Sequence, residues 1–254
     1  MIRIGHTAMP EERIEAIQTR WSLIRNAHLD GQPESAADAR RLLVMRYAPA
    51  IRRYVGGIVR KGDEADELSQ DVMLRLMRGD FAGADPERGR FRDLLKMAIR
   101  NMVKTSWQKT GQRRTVDTEL DSLGGSENDA LDAEWTQLWR KTVLDHTWNR
   151  LLAEEGGKPS PAYHALKLKT DLPDCSSEEL AEHLSRKTGA TVRADNCRQI
   201  LKRARTRFAM HLLDEVRAGL DAESEDRLQE ELGALGLLEL VRDYLPRAED
   251  PDSP

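Results

Sequence analysis

The side chains best suited to chemistry in this sequence are cations, not catalysts. Lys96, Arg100 and Lys104 recur every four residues and Trp107 follows three later. On a helix that spacing makes one cationic stripe ending in an aromatic ring. Such a stripe suits unwound nucleic acid: cations track the phosphates of a single strand and an aromatic face stacks on its bases. Phe91 opens the same basic stretch, and Arg113 and Arg114 close it. The competing assignment for Phe91 and Trp107 is that both are core anchors.

A second basic set follows a turn. Ser176-Ser177-Glu178-Glu179 is a capping-box pattern, in which a serine oxygen takes an orphan helix donor and Glu179 reaches back to the cap. Leu180, Ala181 and Leu184 then face inward, Thr188-Gly189-Ala190-Thr191 supplies a turn, and a second helix runs from about Ala194 to Val216. On it Cys197, Ile200, Leu201, Ala204 and Phe208 form the inward stripe. This is helix-turn-helix spacing, whose second helix enters the major groove. Arg193, Asp195, Asn196, Arg198, Gln199 and Lys202 are the positions for base edges, because Arg pairs two-pronged with guanine and Asn or Gln with adenine. Arg203, Arg205 and Arg207 read as phosphate anchors. A solvated amphipathic face would look similar, and Arg193 is a weak cap.

Catalysis is not indicated. His6, His28, His146, His164, His183 and His211 are scattered, so no metal or acid-base set emerges. The segment from Asp63 to Asp71 contains the letters of a helicase box, but no glycine loop accompanies it to cradle phosphates. Cys175 and Cys197 have neither disulfide nor metal-ligand spacing, and Cys197 reads as a small core residue. The expectation is a non-enzyme with no cofactor and no metal.

The elements that must position these residues are helices, since apolar residues recur three and four apart without sustained alternation. Helices are expected over Glu11–Leu29, Ala36–Val59 with a bend near Pro49 and a stop at Gly62, Glu64–Met77, Phe91–Trp107, Trp135–Leu152 and Ala162–Leu168, ahead of the helix-turn-helix. The fold class is all-α, two small helical domains joined by an acidic flexible linker, with a helical C-terminal extension. The expected boundaries are an N-terminal helical extension over 1–35, a first domain over 36–114, the linker over 115–134, a helix-turn-helix domain over 135–213 and an acidic extension over 214–254.

Charge is segregated along that plan. The chain of 254 residues has a net charge of −4 and 39% apolar content. Phe91 to Arg114 nevertheless carries seven cations against one carboxylate, and Arg193 to Arg207 six against one. Val116 to Glu134 carries seven carboxylates and no cation, and the segment after Asp214 twelve against four arginines. Two basic footprints suggest one extended polyanion as ligand. No apolar run approaches the roughly 20 residues that cross a bilayer, and the first residues lack a secretory apolar stretch, so a cytoplasmic protein with no membrane partner is expected.

Taken in order, the segments resemble the sigma factors of bacterial RNA polymerase, in particular the extracytoplasmic-function group that keeps only regions 2 and 4. Asp66-Glu67-Leu68-Ser69-Gln70-Asp71-Val72-Met73-Leu74-Arg75-Leu76 is similar to the family's "D-L-x-Q-x-x-x-R-L" helix, and Asp85-Pro86-Glu87-Arg88-Gly89-Arg90-Phe91-Arg92 follows. Thr19-Arg20-Trp21-Ser22 and Glu230 to Glu239 resemble a planctomycete-like subgroup. The resemblance implies that Asp66, Glu67, Gln70, Asp71 and Arg75 dock on the polymerase clamp helices. It implies promoter opening by the loop and helix holding Arg88, Arg90, Phe91, Lys96, Arg100, Lys104, Trp107, Arg113 and Arg114, with a base flipped out of the stack. Arg198, Gln199 and Lys202 inherit reading of the upstream element. The implied partners are the polymerase core and promoter DNA, duplex and melted, with an anti-sigma protein as an optional third; the free chain would be a monomer.

Departures accompany the likeness. Asp93-Leu94-Leu95 lacks the aromatic-leucine pair frequent in the family, so fewer groups can stack, and the approach from Lys187 to Ala194 is longer than in the leanest members. The stretch Leu228, Leu232, Leu235, Leu237, Leu238 and Val241 must pack on something, and region 4 is the expected support. A sharper expectation is that carboxylates of this tail cover a basic surface while no polymerase is bound. The alternatives are a stand-alone helix-turn-helix regulator, which binds symmetric half-sites as a dimer, and a helical scaffold with no salt-dependent DNA binding.

Overall fold

Helices form where the apolar spacing places them, and no strand occurs among the described residues. The structure, a computed structural model, describes residues 33–78, 90–109, 125–154, 160–220 and 224–245. The expected helix over Glu11–Leu29, the Thr19–Ser22 motif, the loop over 79–89 with Arg88, and Arg113 and Arg114 lie outside the described residues.

Helix α1 (Pro33–Val59) and α2 (Gly62–Arg78) pack along each other, and α3 (Phe91–Lys109) lies against both. Pro49 sits within α1 on an exposed position, where its missing N–H leaves the helix unbroken. The stop expected at Gly62 comes earlier. Arg60 takes a left-handed φ of 57°, Lys61 N–H donates to the Val59 carbonyl at 2.7 Å, and Gly62 is already the first residue of α2.

Helix α4 (Gly125–Ala153) begins ten residues before the expected Trp135 start. The carboxylates that made 115–134 look like a linker suit the positive end of a helix dipole, and so favour this earlier start. Three shorter helices follow: α5 (Pro161–Asp171), α6 (Ser177–Thr188) and then α7 (Ala194–Arg217), which at 24 residues is long. The chain closes with α8 (Glu225–Ala234), the single turn α9 (Leu238–Val241) and a 3-10 turn over Arg242–Tyr244.

Two apolar clusters hold these helices. The smaller comprises Leu151, Ala165, Leu166, Leu180, Ala181, Leu184, Cys197, Leu201 and Ala204, the interior of the helix-turn-helix. The larger joins Tyr47, Ile51, Tyr54 and Val55 of α1, Leu68, Val72 and Leu76 of α2, and Phe91, Leu95 and Ile99 of α3 to Trp135, Trp139 and Val143 of α4. Its centre is aromatic: Trp139 stacks on Tyr47 with ring centroids 4.8 Å apart and planes 4° from parallel, and Phe91 tilts against both at 5.3 and 6.0 Å. Such pairs add about 0.5–1.5 kcal/mol each beyond the area they bury.

The C-terminal segment packs on α7 and reaches beyond it. Leu228, Leu232, Leu235, Leu237 and Val241 belong to the larger cluster, together with Leu212 and Val216 from the last turns of α7. One glycine is required there. Gly236 has φ 62°, and a Cβ on it would lie 2.7 Å from the Arg140 guanidinium, which donates to the Leu235 and Gly236 carbonyls at 3.1 and 3.0 Å.

Candidate nucleic-acid interface

Helix α3 places the cationic stripe on one face, as the four-residue spacing dictates, while Leu95, Ile99, Met102 and Val103 hold the opposite face in the core. Its cations have partners from distant segments. The Lys96 ammonium lies 3.1 Å from one oxygen of Asp132, and the Arg100 guanidinium 2.9 Å from the other. Arg100 Nε also donates to the Tyr54 hydroxyl at 2.8 Å. Burial of the Tyr54 ring, opposed by Arg100, keeps its hydroxyl above the ordinary tyrosine range. Arg53 extends the contact with α4 by reaching Glu134 at 2.7 Å.

At the other end, Arg90 is 2.5 Å from Glu230 and 3.1 Å from Glu231 of α8. Arg92 and Glu231 face each other at 3.3 Å with side-chain exposures of 7% and 5%, which makes this a buried ion pair. Lys104 is half-buried.

The two aromatic groups assigned to the stripe are corrected by the structure. Phe91 is fully buried in the Tyr47–Trp139 cluster, and Trp107 is 8% exposed with its indole N–H donating to Glu64 at 3.1 Å. A helix that buries one face carries its large apolar groups inward, and both rings fall on that side. The stripe left on the outer side therefore consists of half-buried cations, Lys96, Arg100 and Lys104, without an aromatic ring.

The capping box that opens α6 is complete. Ser176 Oγ accepts from the Glu179 N–H at 3.2 Å, and Glu179 accepts from the Ser176 N–H at 2.8 Å. That backbone donor, then the serine hydroxyl, hold the Glu179 carboxyl below the usual carboxylate range. Gly189 ends α6 in the left-handed region at φ 72°. Ser185 ties down the turn, accepting from the Val192 N–H at 2.8 Å while donating to the Ala181 carbonyl at 2.7 Å. Nothing in its spacing marks that role, because its partner is seven residues away across the turn.

Helix α7 starts without a side-chain cap at Arg193, as the residue type leads one to expect. Arg193, Asp195, Asn196, Arg198, Gln199, Lys202, Arg203 and Arg205 are all exposed, whereas Cys197, Leu201 and Ala204 point into the smaller cluster. Burial pushes the Cys197 thiol above its ordinary value. Arg198 pairs with Asp195 and approaches Glu178 at 4.0 Å, so it is partly neutralised within the motif.

On α2 the candidates Asp66, Glu67, Gln70, Asp71 and Arg75 are exposed, with Leu68, Val72 and Leu76 on the buried side. Leu74, apolar like those residues, is 48% exposed, and Met77 40%. Carboxylates beside bare leucine and methionine make a mixed surface of the kind proteins bind. Its apolar members were missed because their register, not their type, puts them outside.

Among the described residues no group of His, Cys, Asp and Glu could hold a metal ion, and no helix is long and apolar enough to cross a membrane. Residues 43–114, which span most of α1, all of α2 and α3 and the segment beyond, match the family model described as sigma-70 region 2. The match supports an RNA polymerase sigma factor of the sigma-70 family. No curated protein and no solved structure matches the chain.

Proposed function

We propose that this chain is a sigma factor of the extracytoplasmic-function group, akin to a planctomycete-like subgroup, that carries the RNA polymerase core to promoters and promotes strand opening. The observation that carries this is the region 2 match over 43–114, on a segment whose α2 presents Asp66, Glu67, Gln70, Asp71 and Arg75 together to solvent. In this role α2 docks on the polymerase, α7 reads duplex DNA through Arg198, Gln199 and Lys202, and Lys96, Arg100 and Lys104 follow the phosphates of the melted strand. The chain catalyses no reaction; binding free energy is spent on opening DNA. It acts in the cytoplasm as a monomer when free, with an anti-sigma protein as a further regulator.

Capture of purified bacterial polymerase core tests the reading, comparing wild type with the Gln70→Ala, Asp71→Ala, Arg75→Ala triple variant. These three side chains are exposed, so the variant should keep its fold. Stoichiometric capture by the wild type and loss in the variant are expected. Failure of the folded wild type to bind a cognate core refutes it.

A second reading has its own support: α6, its glycine turn and α7 form a capped helix-turn-helix with all eight candidate contacts exposed. A stand-alone regulator using that motif would bind symmetric half-sites as a dimer without polymerase, which sedimentation with operator-like duplexes distinguishes.

A further inference from the structure

The α3 cations are the groups best placed to meet phosphates, yet in the folded chain they already face carboxylates. Asp132 divides its two oxygens between Lys96 at 3.1 Å and Arg100 at 2.9 Å, one helical turn apart. Glu230 and Glu231 take Arg90 at 2.5 and 3.1 Å, and Glu231 takes Arg92 as well. The two acid groups come from separate segments, α4 and α8, that lie outside the region 2 match. We propose that Asp132 and Glu230 act as phosphate surrogates, so that a nucleic-acid strand reaches Lys96 and Arg100 only by displacing Asp132, and takes the place of Glu230 on Arg90 while the pair of Arg90 with the buried Glu231 stays.

Three features make these contacts a displaceable cover as opposed to a permanent brace. The Asp132 and Glu230 side chains are 42% and 70% exposed, so each can swing aside without opening the core, whereas Glu231 is buried at 5%. The aromatic groups of α3 are withheld from any strand by burial, which leaves the cations to supply its affinity. A bidentate carboxylate bridging cations four residues apart also offers the same charge and acceptor pattern as a bridging phosphate oxygen pair. The inference takes only its ligand, single-stranded DNA, from the proposed function.

The test is binding of a fluorescein-labelled oligodeoxythymidylate strand by the full-length chain, followed by anisotropy over a range of salt. The variant Asp132→Asn, Glu230→Gln removes three ion pairs whose carboxylates are exposed and whose cations are half-buried, which at the usual worth of surface pairs combine to about tenfold tighter binding at low salt. Its salt dependence should steepen by about 0.7 in log–log slope for each cation released to a phosphate. Glu182→Gln with Asp243→Asn makes the same change in net charge at exposed sites elsewhere and should stay within about twofold of wild type. Adding Arg90→Gln, Lys96→Gln and Arg100→Gln to the first variant should abolish the gain.

No gain in the folded first variant overturns the proposal, as does an equal gain in the charge control or a gain that survives loss of Arg90, Lys96 and Arg100 together. If the double variant fails to fold, Asp132→Asn alone decides, with about a fivefold gain expected from its two pairs and no gain refuting. The polymerase capture is scored independently. A gain without core capture leaves self-occlusion standing and removes the sigma reading, and capture without a gain does the converse.

Discussion

Replacing Trp139 with alanine should loosen helices that lie far from it in sequence. Trp139 is 1% exposed, stacks face to face on Tyr47 and tilts against Phe91 and Trp135. A buried Trp→Ala change costs about 3–5 kcal/mol, and three aromatic partners left beside the void put this site in the upper half of that range. For a chain of this size each kcal/mol lowers Tm by roughly 2–4 °C, so a fall of about 8–20 °C is expected. The informative readout is hydrogen exchange followed by mass spectrometry. Because Trp139 lies outside the region 2 match but packs on α1 and α3, protection should fall in peptides covering 47–58 and 91–103 as well as in α4. A loss below about 1 kcal/mol, or unchanged exchange in α1 and α3, would refute the shared core and leave α4 packed only on its own half.

Two further outcomes follow from the charge arrangement and the cap. Glu231→Ala leaves the Arg92 guanidinium buried with Asp93, at 3.7 Å, as its remaining ion partner among the described residues, and should cost about 3 kcal/mol in urea unfolding. The apolar pair Arg92→Met with Glu231→Leu should cost clearly less than the single change, and a double variant worse than the single would count against a buried pair here. Ser176→Ala should lower the stability of the helix-turn-helix by about 1 kcal/mol. It should also let the Glu179 carboxyl rise toward its ordinary value, because the folded state depresses it. The stabilisation linked to Glu179 is therefore present above the ordinary carboxylate range and lost as pH falls through the folded-state value. NMR titration of Glu179 checks this, and an unchanged midpoint in the variant would sink it.

Local patterns were legible because their physics is local. The capping box needs only residues three apart, and both of its bonds are present between Ser176 and Glu179. The inward stripe of Cys197, Leu201 and Ala204 follows from the 3.6-residue period, which also leaves Arg198, Gln199 and Lys202 outside. Phe91 and Trp107 were ambiguous for a definite reason: an aromatic at the edge of a cationic stripe fits a stacking platform and a core anchor equally, and only the neighbouring helices decide. Leu74 shows the converse, an apolar residue whose register points it outward. The partners of Lys96 and Arg90 were beyond reach, since charge segregation tells that acids exist but not that Asp132 lies 36 residues from one and Glu230 140 from the other. The early start of α4 was hidden by the same carboxylates, whose favourable meeting with the helix dipole is weaker as a sequence signal than their low hydrophobicity.

The energies of these contacts decide how the molecule could open. The junction between the region 2 segment and the rest of the chain rests on Trp135, Trp139, Leu212, Leu228 and Leu232, all at 1% exposure or less. Separating those surfaces would forfeit about 1.5–3 kcal/mol for each large side chain returned to water, a sum no handful of phosphate contacts offsets. The exposed pairs of Asp132 and Glu230 are worth about 0.2–1 kcal/mol apiece and weaken with salt. A strand that offers several phosphates at once can exceed that. Self-occlusion by these carboxylates is therefore relieved by rotation of the Asp132 and Glu230 side chains on α4 and α8 while the aromatic core stays shut, and DNA affinity should rise in the neutralised variant with no change in the exchange protection of α1.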